Sequence, residues 1–173
     1  MDSKVKLFGH PIHPMLVVFP LGLFATAVVF DVVGLIRTEG YWSGIAFWMI
    51  AAGIVGGLLA AIFGLVDWLA IPAGTRAKFI GLLHGAGNVL VTLLFIVSWF
   101  LRRPAPESLT TPQFLLSFVG VLIALVTGWL GGELVDRLGV GVHTGAHLNA
   151  PNSLSGRPAS ETGGPPPKLR RVA

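Results

Sequence analysis

Cysteine is absent from the 173 residues of this chain, and charged side chains make up only 12% of it. Without cysteine the chain can form no disulfide, no thiolate-bound iron–sulfur cluster and no covalent haem link through a Cys-x-x-Cys-His sequence. The few charges are unevenly spread, because none occurs in residues 41–66, 85–101 or 113–132. A water-soluble helical bundle needs a polar face on each helix, and these stretches provide none.

Apolar residues, in contrast, make up 53% of the chain. A bilayer core about 30 Å thick requires about 20 apolar residues for each helical span. Four stretches have this length, namely residues 15–36, 43–68, 79–101 and 112–134. The links between them are short, which favours antiparallel neighbours. The sequence therefore predicts an all-α membrane protein, an up-down-up-down four-helix bundle in contact with the lipid bilayer.

The basic residues near the span ends predict the orientation of this bundle. An even number of spans places residues 1–14 and the segment after the fourth span on one side. Near the span ends that side carries five basic residues, Lys4, Lys6, Arg76, Lys78 and Arg137. The other side carries three, Arg37, Arg102 and Arg103. The positive-inside rule then predicts a multi-pass membrane protein with both termini in the cytoplasm. Because the net charge of +4 is explained by this topology, we expect no nucleic-acid partner.

The C-terminal stretch differs in composition from the rest of the chain. Residues 149–173 are rich in Pro, Gly and Ser and contain too few apolar residues to form a core. Such a composition is typical of disorder. The sequence thus predicts a transmembrane domain at residues 1–148 and a disordered tail at residues 149–173.

Histidines are predicted to occur at one membrane face only. The five are His10, His13, His84, His143 and His147, and Asp67, Glu133 and Asp136 belong to the same face. The opposite face carries charges that have the appearance of ordinary interfacial residues, namely Asp31, Arg37, Glu39, Arg102, Arg103 and Glu107. Histidines at helix ends also serve simply to anchor a span at the headgroups, and this interpretation stays open, above all for His143 and His147.

Two His-Pro pairs precede the first span, in the stretch "GHPIHP". Proline disfavours the α region for the residue before it, so His10 and His13 are expected in an extended, polyproline-like segment with both imidazoles on one side. Pro14 suits the first helical position, which makes His13 the expected N-cap of the span. The positive end of the helix dipole would then favour a neutral imidazole, the form that binds a metal or haem iron.

A third histidine lies inside an apolar stretch. His84 is predicted about one turn into the third span, with Asn88 four residues further on the same helix face. Ionisable groups within spans usually face the bundle interior and mark a function, although hydrogen bonding between helices is an alternative role. We predict a cofactor site formed by His13, His84 and Asn88, and, for a simple metal ion, ligands from His10, His13, Asp67 and His84. Asp67 or Asn88 is the expected acceptor for the second imidazole nitrogen.

Spacing suggests that the bundle consists of two related helical hairpins. Leu-Val-Asp occurs at residues 65–67 and again at 134–136, and His13 and His84 are 71 positions apart. Each half thus begins with a histidine and ends with the triplet. A duplication would relate the halves by a pseudo-two-fold axis along the membrane normal and place His13 opposite His84.

These stretches resemble a bacterial four-span family called domain of unknown function 2231. The resemblance rests on residues 9–14, on 64–68, on His84 with Asn88, on 131–135 and on 139–142. It implies a bacterial membrane protein with four helices, located in the inner membrane. Some members of the family are fused to a Rieske iron–sulfur domain, which implies a Rieske-type or other redox protein as a partner. In relatives the position of Asp136 is usually aromatic, so the repeat rests more on His13, His84 and Asp67.

Two classes of function remain open. In the first, the histidines bind haem b or a transition metal ion in an electron-transfer context, since facing helices can direct imidazoles to a shared site. In the second, the chain is a non-redox accessory or structural subunit of a membrane complex, or a small transporter. No nucleophile–base set, phosphate loop or metalloprotease sequence occurs, so independent enzyme activity is not expected.

Overall fold

A computed structural model describes residues 1–162 of the chain, and four long helices account for most of it. They are α1 (Ile12–Arg37), α2 (Gly40–Ala70), α3 (Arg76–Arg102) and α4 (Thr111–Gly132). Each is long and apolar enough to cross a membrane, α4 together with the turn that continues it to Arg137. The predicted all-α, four-span architecture is confirmed, and the first three helices extend beyond their apolar stretches at both ends.

Short connections make neighbouring helices antiparallel. Two residues join α1 to α2, residues 71–75 join α2 to α3, and residues 103–110 join α3 to α4. The most extensive packing is within hairpin 1 (α1 and α2) and within hairpin 2 (α3 and α4), and α2 with α3 and α1 with α4 close the bundle. The helices α1 and α3 therefore lie diagonally, and their long side chains meet at the bundle centre.

An N-terminal segment, residues 1–11, folds into a small hairpin before α1. Strand β1 (Lys6–Leu7) pairs antiparallel with β2 (His10–Pro11), and the turn between them has positive φ angles of 49° at Phe8 and 81° at Gly9. The expected N-cap at His13 is wrong, because Pro11 precedes the helix and His13 is already its second residue. His10 and His13 thus share no extended segment. Pro14 is accommodated because first-turn N–H groups have no helical partner.

Two phenylalanines from the diagonal helices form the centre of the core. Phe24 of α1 and Phe95 of α3 stack with ring centroids 3.9 Å apart and an interplanar angle of 5°. Each ring lies over a glycine of its own hairpin: a Cβ on Gly53 would come within 2.5 Å of Phe24, and one on Gly120 within 2.8 Å of Phe95. Only glycine permits so close an approach of ring and helix backbone.

These contacts repeat from one hairpin to the other in a constant register. Phe24 and Phe95 are 71 positions apart, as are His13 and His84, and Gly53 and Gly120 are 67 apart. Equivalent side chains thus make equivalent contacts, which supports the predicted duplication. The Leu-Val-Asp triplets are less closely equivalent, because the second lies in a π-helical turn, Glu133–Arg137, that continues α4 and leaves Asp136 exposed.

The predicted tail begins within the described residues. From residue 149 the chain forms turns and one 3₁₀ turn at Ser153–Ser155. The Ser153 hydroxyl lies 3.3 Å from Nε2 of His10, so this stretch contacts the N-terminal segment. The remainder of the predicted tail, residues 163–173, lies outside the described residues.

Candidate functional site

His13 and His84 make the same hydrogen bond, each within its own hairpin. Nδ1 of His13 lies 2.8 Å from the Ala60 carbonyl oxygen on α2, and Nδ1 of His84 lies 2.8 Å from the Thr127 carbonyl oxygen on α4. A carbonyl oxygen can only accept, so each Nδ1 carries the proton and donates it. In a neutral ring the lone pair is then on Nε2, the tautomer that binds a metal through Nε2.

The two imidazoles meet across the bundle. Their ring centroids are 6.3 Å apart, and the ring planes are almost perpendicular at 87°. Both side chains are half-buried. The structure thus brings together the two residues that the sequence singled out as the core of a site, at a separation that a single metal atom can bridge.

A glycine adjoins each imidazole, as a glycine adjoins each central phenyl ring. A Cβ on Gly64 would lie 2.7 Å from Cε1 and 2.8 Å from Nδ1 of His13. A Cβ on Gly131 would lie 3.1 Å from Cε1 of His84. Each glycine comes four residues after the residue whose carbonyl accepts the histidine hydrogen bond. One turn of helix therefore supplies both the acceptor that orients the ring and the space that the ring occupies.

Asn88 distinguishes the two histidines. Its side-chain amide donates to the His84 carbonyl oxygen at 2.9 Å and lies 3.2 Å from Nε2 of His84. Its Oδ1 accepts a hydrogen bond of 2.9 Å from the Thr127 hydroxyl on α4. Asn88 is therefore a donor to His84, not the acceptor that the sequence suggested. The equivalent position in hairpin 1 is Val17, which can form no such bond.

The other predicted ligands lie elsewhere. His10 is exposed, with Nε2 against Ser153. Asp67 accepts hydrogen bonds from the Ser3 hydroxyl at 2.8 and 2.9 Å and from the Lys4 amide at 2.8 Å. Among residues 1–162, no three His, Asp or Glu side chains gather as metal ligands would. The backbone carbonyls, and not Asp67, are the acceptors of the imidazole protons.

The remaining histidines belong to the polar layer that covers this end of the bundle. His143 lies with Nδ1 3.3 Å from the Asp2 carboxylate and Nε2 3.2 Å from the Gly9 carbonyl oxygen. His147 is exposed, and its Nε2 lies 3.2 Å from the Glu161 carbonyl oxygen. Both fit the anchoring interpretation and neither approaches the His13–His84 pair through these contacts.

A second buried polar cluster, which the sequence interpretation missed, lies at the opposite end of the bundle. Asp31 and Arg102 are 0% and 1% exposed and form a bidentate ion pair with N–O distances of 2.7 and 2.8 Å. The expectation of ordinary interfacial charges is wrong for these two residues. Their spacing could have revealed the pair, because Asp31 and Arg102 are 71 positions apart, the separation of His13 and His84.

Four membrane-length apolar helices, with a paired histidine at one end and a buried ion pair at the other, define an integral membrane protein with a polar interior at both faces. The chain belongs to the family described as "Predicted membrane protein (DUF2231)", whose profile matches residues 9–144. The match includes all four helices, both histidines of the pair, and Asp31 and Arg102. No curated protein and no solved structure matches the chain.

Proposed function

We propose that His13 and His84 are the two protein ligands of a haem b and that the protein works in electron transfer at one membrane face. The ring separation of 6.3 Å is the observation that carries this proposal. Two metal–imidazole bonds of about 2 Å, together with the distance from each nitrogen to its ring centre, amount to about 6 Å. Haem b, when bound, supplies one-electron chemistry, and its potential depends on axial ligands and burial.

The number of available ligands favours haem over a bare ion. Zinc in structural sites takes four protein ligands, and octahedral ions take six. The proposed site offers two imidazoles, and among residues 1–162 no three His, Asp or Glu side chains form a cluster of metal ligands. Haem iron has four ligands from the porphyrin, so two imidazoles complete its coordination. A transition metal ion held by the two imidazoles alone is the remaining form of this proposal.

The protein contributes orientation through its backbone. The Ala60 and Thr127 carbonyls hold the Nδ1 protons of the two rings at 2.8 Å, which fixes the tautomer and increases the basicity of Nε2. At His84 the Asn88 amide nitrogen lies 3.2 Å from Nε2, so metal ligation there would require this amide to turn away. The hydrogen bond from the Thr127 hydroxyl to Oδ1 of Asn88 can persist during this rotation. His13 has no equivalent residue to displace, since Val17 occupies that position.

The test is the cofactor content of the full chain purified in mild detergent. Absorbance of oxidised and reduced protein, extracted haem and metal analysis are measured on the wild type, His13→Ala and His84→Ala. We expect about one haem per chain in the wild type and its loss in both variants. His147→Ala is the matched control, because this exposed histidine of the same face should leave haem content unchanged. A colourless wild type with bound metal supports the bare-ion form, and one without metal contradicts both forms.

A structural role is the second candidate, and the Asn88 network favours it. Asn88 and His84 of α3 both form hydrogen bonds with Thr127 of α4, so the same atoms can serve to hold the two helices of hairpin 2 together. An accessory subunit would then contain no cofactor. A role as a small transporter receives less support, because the Phe24–Phe95 stack fills the bundle centre between the two polar ends.

Orientation and redox partner extend the proposal. The bias of basic residues supports an orientation with the histidine face toward the cytoplasm. The family resemblance supports a location in the bacterial inner membrane and a Rieske-type or other redox protein as the partner. A reporter enzyme that is active only in the periplasm, fused to the full chain after Ala173, tests the orientation. We expect no activity, and an active fusion would reverse the assignment of the two faces.

A further inference from the structure

The ion pair lies where the two hairpins face each other across their pseudo-two-fold axis. His13 meets His84, Phe24 meets Phe95, and Asp31 meets Arg102, each pair 71 positions apart. At this interface each of these residues of hairpin 1 faces the residue at the equivalent position of hairpin 2. If two copies of hairpin 1 paired through this surface, residue 31 of one copy would face residue 31 of the other.

Of these three residue pairs, only the ion pair distinguishes the pairing of hairpin 1 with hairpin 2 from a pairing of two like hairpins. Two histidines or two phenylalanines meet in the correct pairing, and the same residue types would meet in a pairing of like hairpins. At the position of the ion pair, a pairing of like hairpins would bury Asp against Asp or Arg against Arg. Such a burial of two like charges has no Coulombic compensation for their desolvation.

We propose that the Asp31–Arg102 pair determines partner choice at the hairpin interface, so that this surface accepts only a hairpin that carries the opposite charge. Hairpin 1 then pairs with hairpin 2 and rejects hairpin 1 of a second copy during assembly in the membrane. Buried charges are costly in a membrane and need a partner, so a mispaired hairpin is strongly disfavoured.

The surroundings of the pair fit a cation supplied by hairpin 2. Arg102 Nε donates to Ser98 at 3.2 Å, and its Nη2 donates to Ser117 at 3.1 Å. The equivalent positions of hairpin 1 are Ala27 and Ile50, both fully buried. The two halves have therefore diverged into an anionic and a cationic partner, and only the cationic hairpin carries serine hydroxyls that accept hydrogen bonds from the ion pair.

The experiment uses full-length chains with charge reversals. Asp31→Arg leaves two arginines at the interface and Arg102→Asp leaves two aspartates, so each alone should yield at least about tenfold less folded protein in detergent than the wild type. The double variant, Asp31→Arg with Arg102→Asp, restores opposite charges within one chain and should yield severalfold more folded protein than either single variant, but less than the wild type, because hairpin 1 offers the exchanged guanidinium no serine at the positions equivalent to Ser98 and Ser117. Arg103→Asp is the matched control, since this neighbouring arginine is exposed.

Co-expression distinguishes partner choice from a general need for the pair. The two single-reversal chains carry different tags and can form a dimer with exchanged hairpins, in which every hairpin interface again has opposite charges. The exchange is possible because the five residues of the 71–75 connection reach about 17 Å when extended. We expect both tags to co-purify and the folded yield of each chain to rise severalfold above its yield alone. Two differently tagged copies of Asp31→Arg should gain nothing. The proposal is overturned if the single reversals fold like the wild type, or if co-expression of the complementary pair restores neither chain.

Discussion

Phe24 and Phe95 stack in parallel at the bundle centre, 3.9 Å apart, on helices that are diagonal neighbours. Along α1, at a rise of about 1.5 Å per residue, His13 lies about 16 Å to one side of Phe24, and Asp31 lies about 10 Å to the other. The bundle axis thus contains three layers of equivalent residues: two imidazoles, two phenyl rings and one ion pair. The apolar middle layer separates the polar end with two imidazoles from the polar end with the ion pair.

Removal of one central ring should destabilise the bundle. Phe95→Ala leaves Phe24 without its stacking partner and opens a cavity over Gly120, at a cost of about 3 to 5 kcal/mol. Phe100→Ala, on the same helix but 55% exposed, should cost much less. Unfolding of the purified protein by a denaturing detergent measures both. Similar losses in the two variants would contradict the central role of the stack.

The glycines beside the imidazoles should not tolerate a methyl group. Gly64→Ala places a Cβ 2.7 Å from His13 Cε1 and should displace the ring from the Ala60 carbonyl, at a cost of about 1 to 3 kcal/mol and with loss of the proposed haem. Gly131→Ala should show a smaller effect, because its contact is 3.1 Å. Gly128→Ala meets no atom within 4 Å and is the control, expected to be neutral or stabilising. Equal stability of all three variants would contradict the geometry.

Asp67 should hold the N-terminal segment on the bundle. Its carboxylate accepts from the Ser3 hydroxyl and the Lys4 amide, and Ser3 is only 6% exposed. In Asp67→Asn the loss of the charged acceptor should weaken this attachment by about 1 to 2 kcal/mol. We expect faster proteolysis and faster amide exchange at Lys4, whereas the exposed Asp136→Asn should change neither. Unchanged exchange at Lys4 in Asp67→Asn would show that the carboxylate does not hold the segment.

Low pH should weaken the contact of the same segment with the chain after α4. The Lys6 hydrogen bond lowers the pKa of Asp2 below its ordinary value of 3.8, and the Asp2 carboxylate accepts from the Thr144 amide. A lowered folded-state pKa means that the stabilisation is complete above pH 3.8 and is lost as the pH falls through the depressed value. The protection of the Thr144 amide, which is its exchange rate relative to the intrinsic rate at the same pH, should therefore fall only below about pH 4. In Lys6→Met the loss of protection should begin at a higher pH, and an identical profile would contradict the role of Lys6.

The sequence predicted the four helices and their order because long runs without charge have few other interpretations. It also predicted that His13 and His84 face each other, through their spacing. The atoms that hold the two rings could not be predicted, because every residue has a carbonyl and nothing in the side chains of Ala60 or Thr127 marks them as acceptors. Asp67 was assigned the wrong partner because the fold of the N-terminal segment is not encoded in hydropathy.

The ion pair shows a different limit. A charge near the end of an apolar stretch is compatible both with the headgroup region and with a buried partner, and composition alone favoured the first interpretation for Asp31 and Arg102. Only the shared 71-residue register, applied to opposite charges, points to the second. The start of α1 was misplaced for a related reason, since proline is tolerated throughout the first helical turn and Pro14 does not identify its first residue.

The most direct test of the proposed haem site is low-temperature electron paramagnetic resonance of the oxidised protein in detergent. Axial imidazoles in near-perpendicular planes give low-spin ferric haem a single, strongly displaced low-field feature, whereas parallel planes give a three-line rhombic spectrum. The interplanar angle of 87° between His13 and His84 predicts the first spectrum. It should disappear in His84→Ala and persist in His147→Ala. A high-spin haem signal, or no iron signal from a fully folded protein, would contradict the assignment of the two histidines as haem ligands.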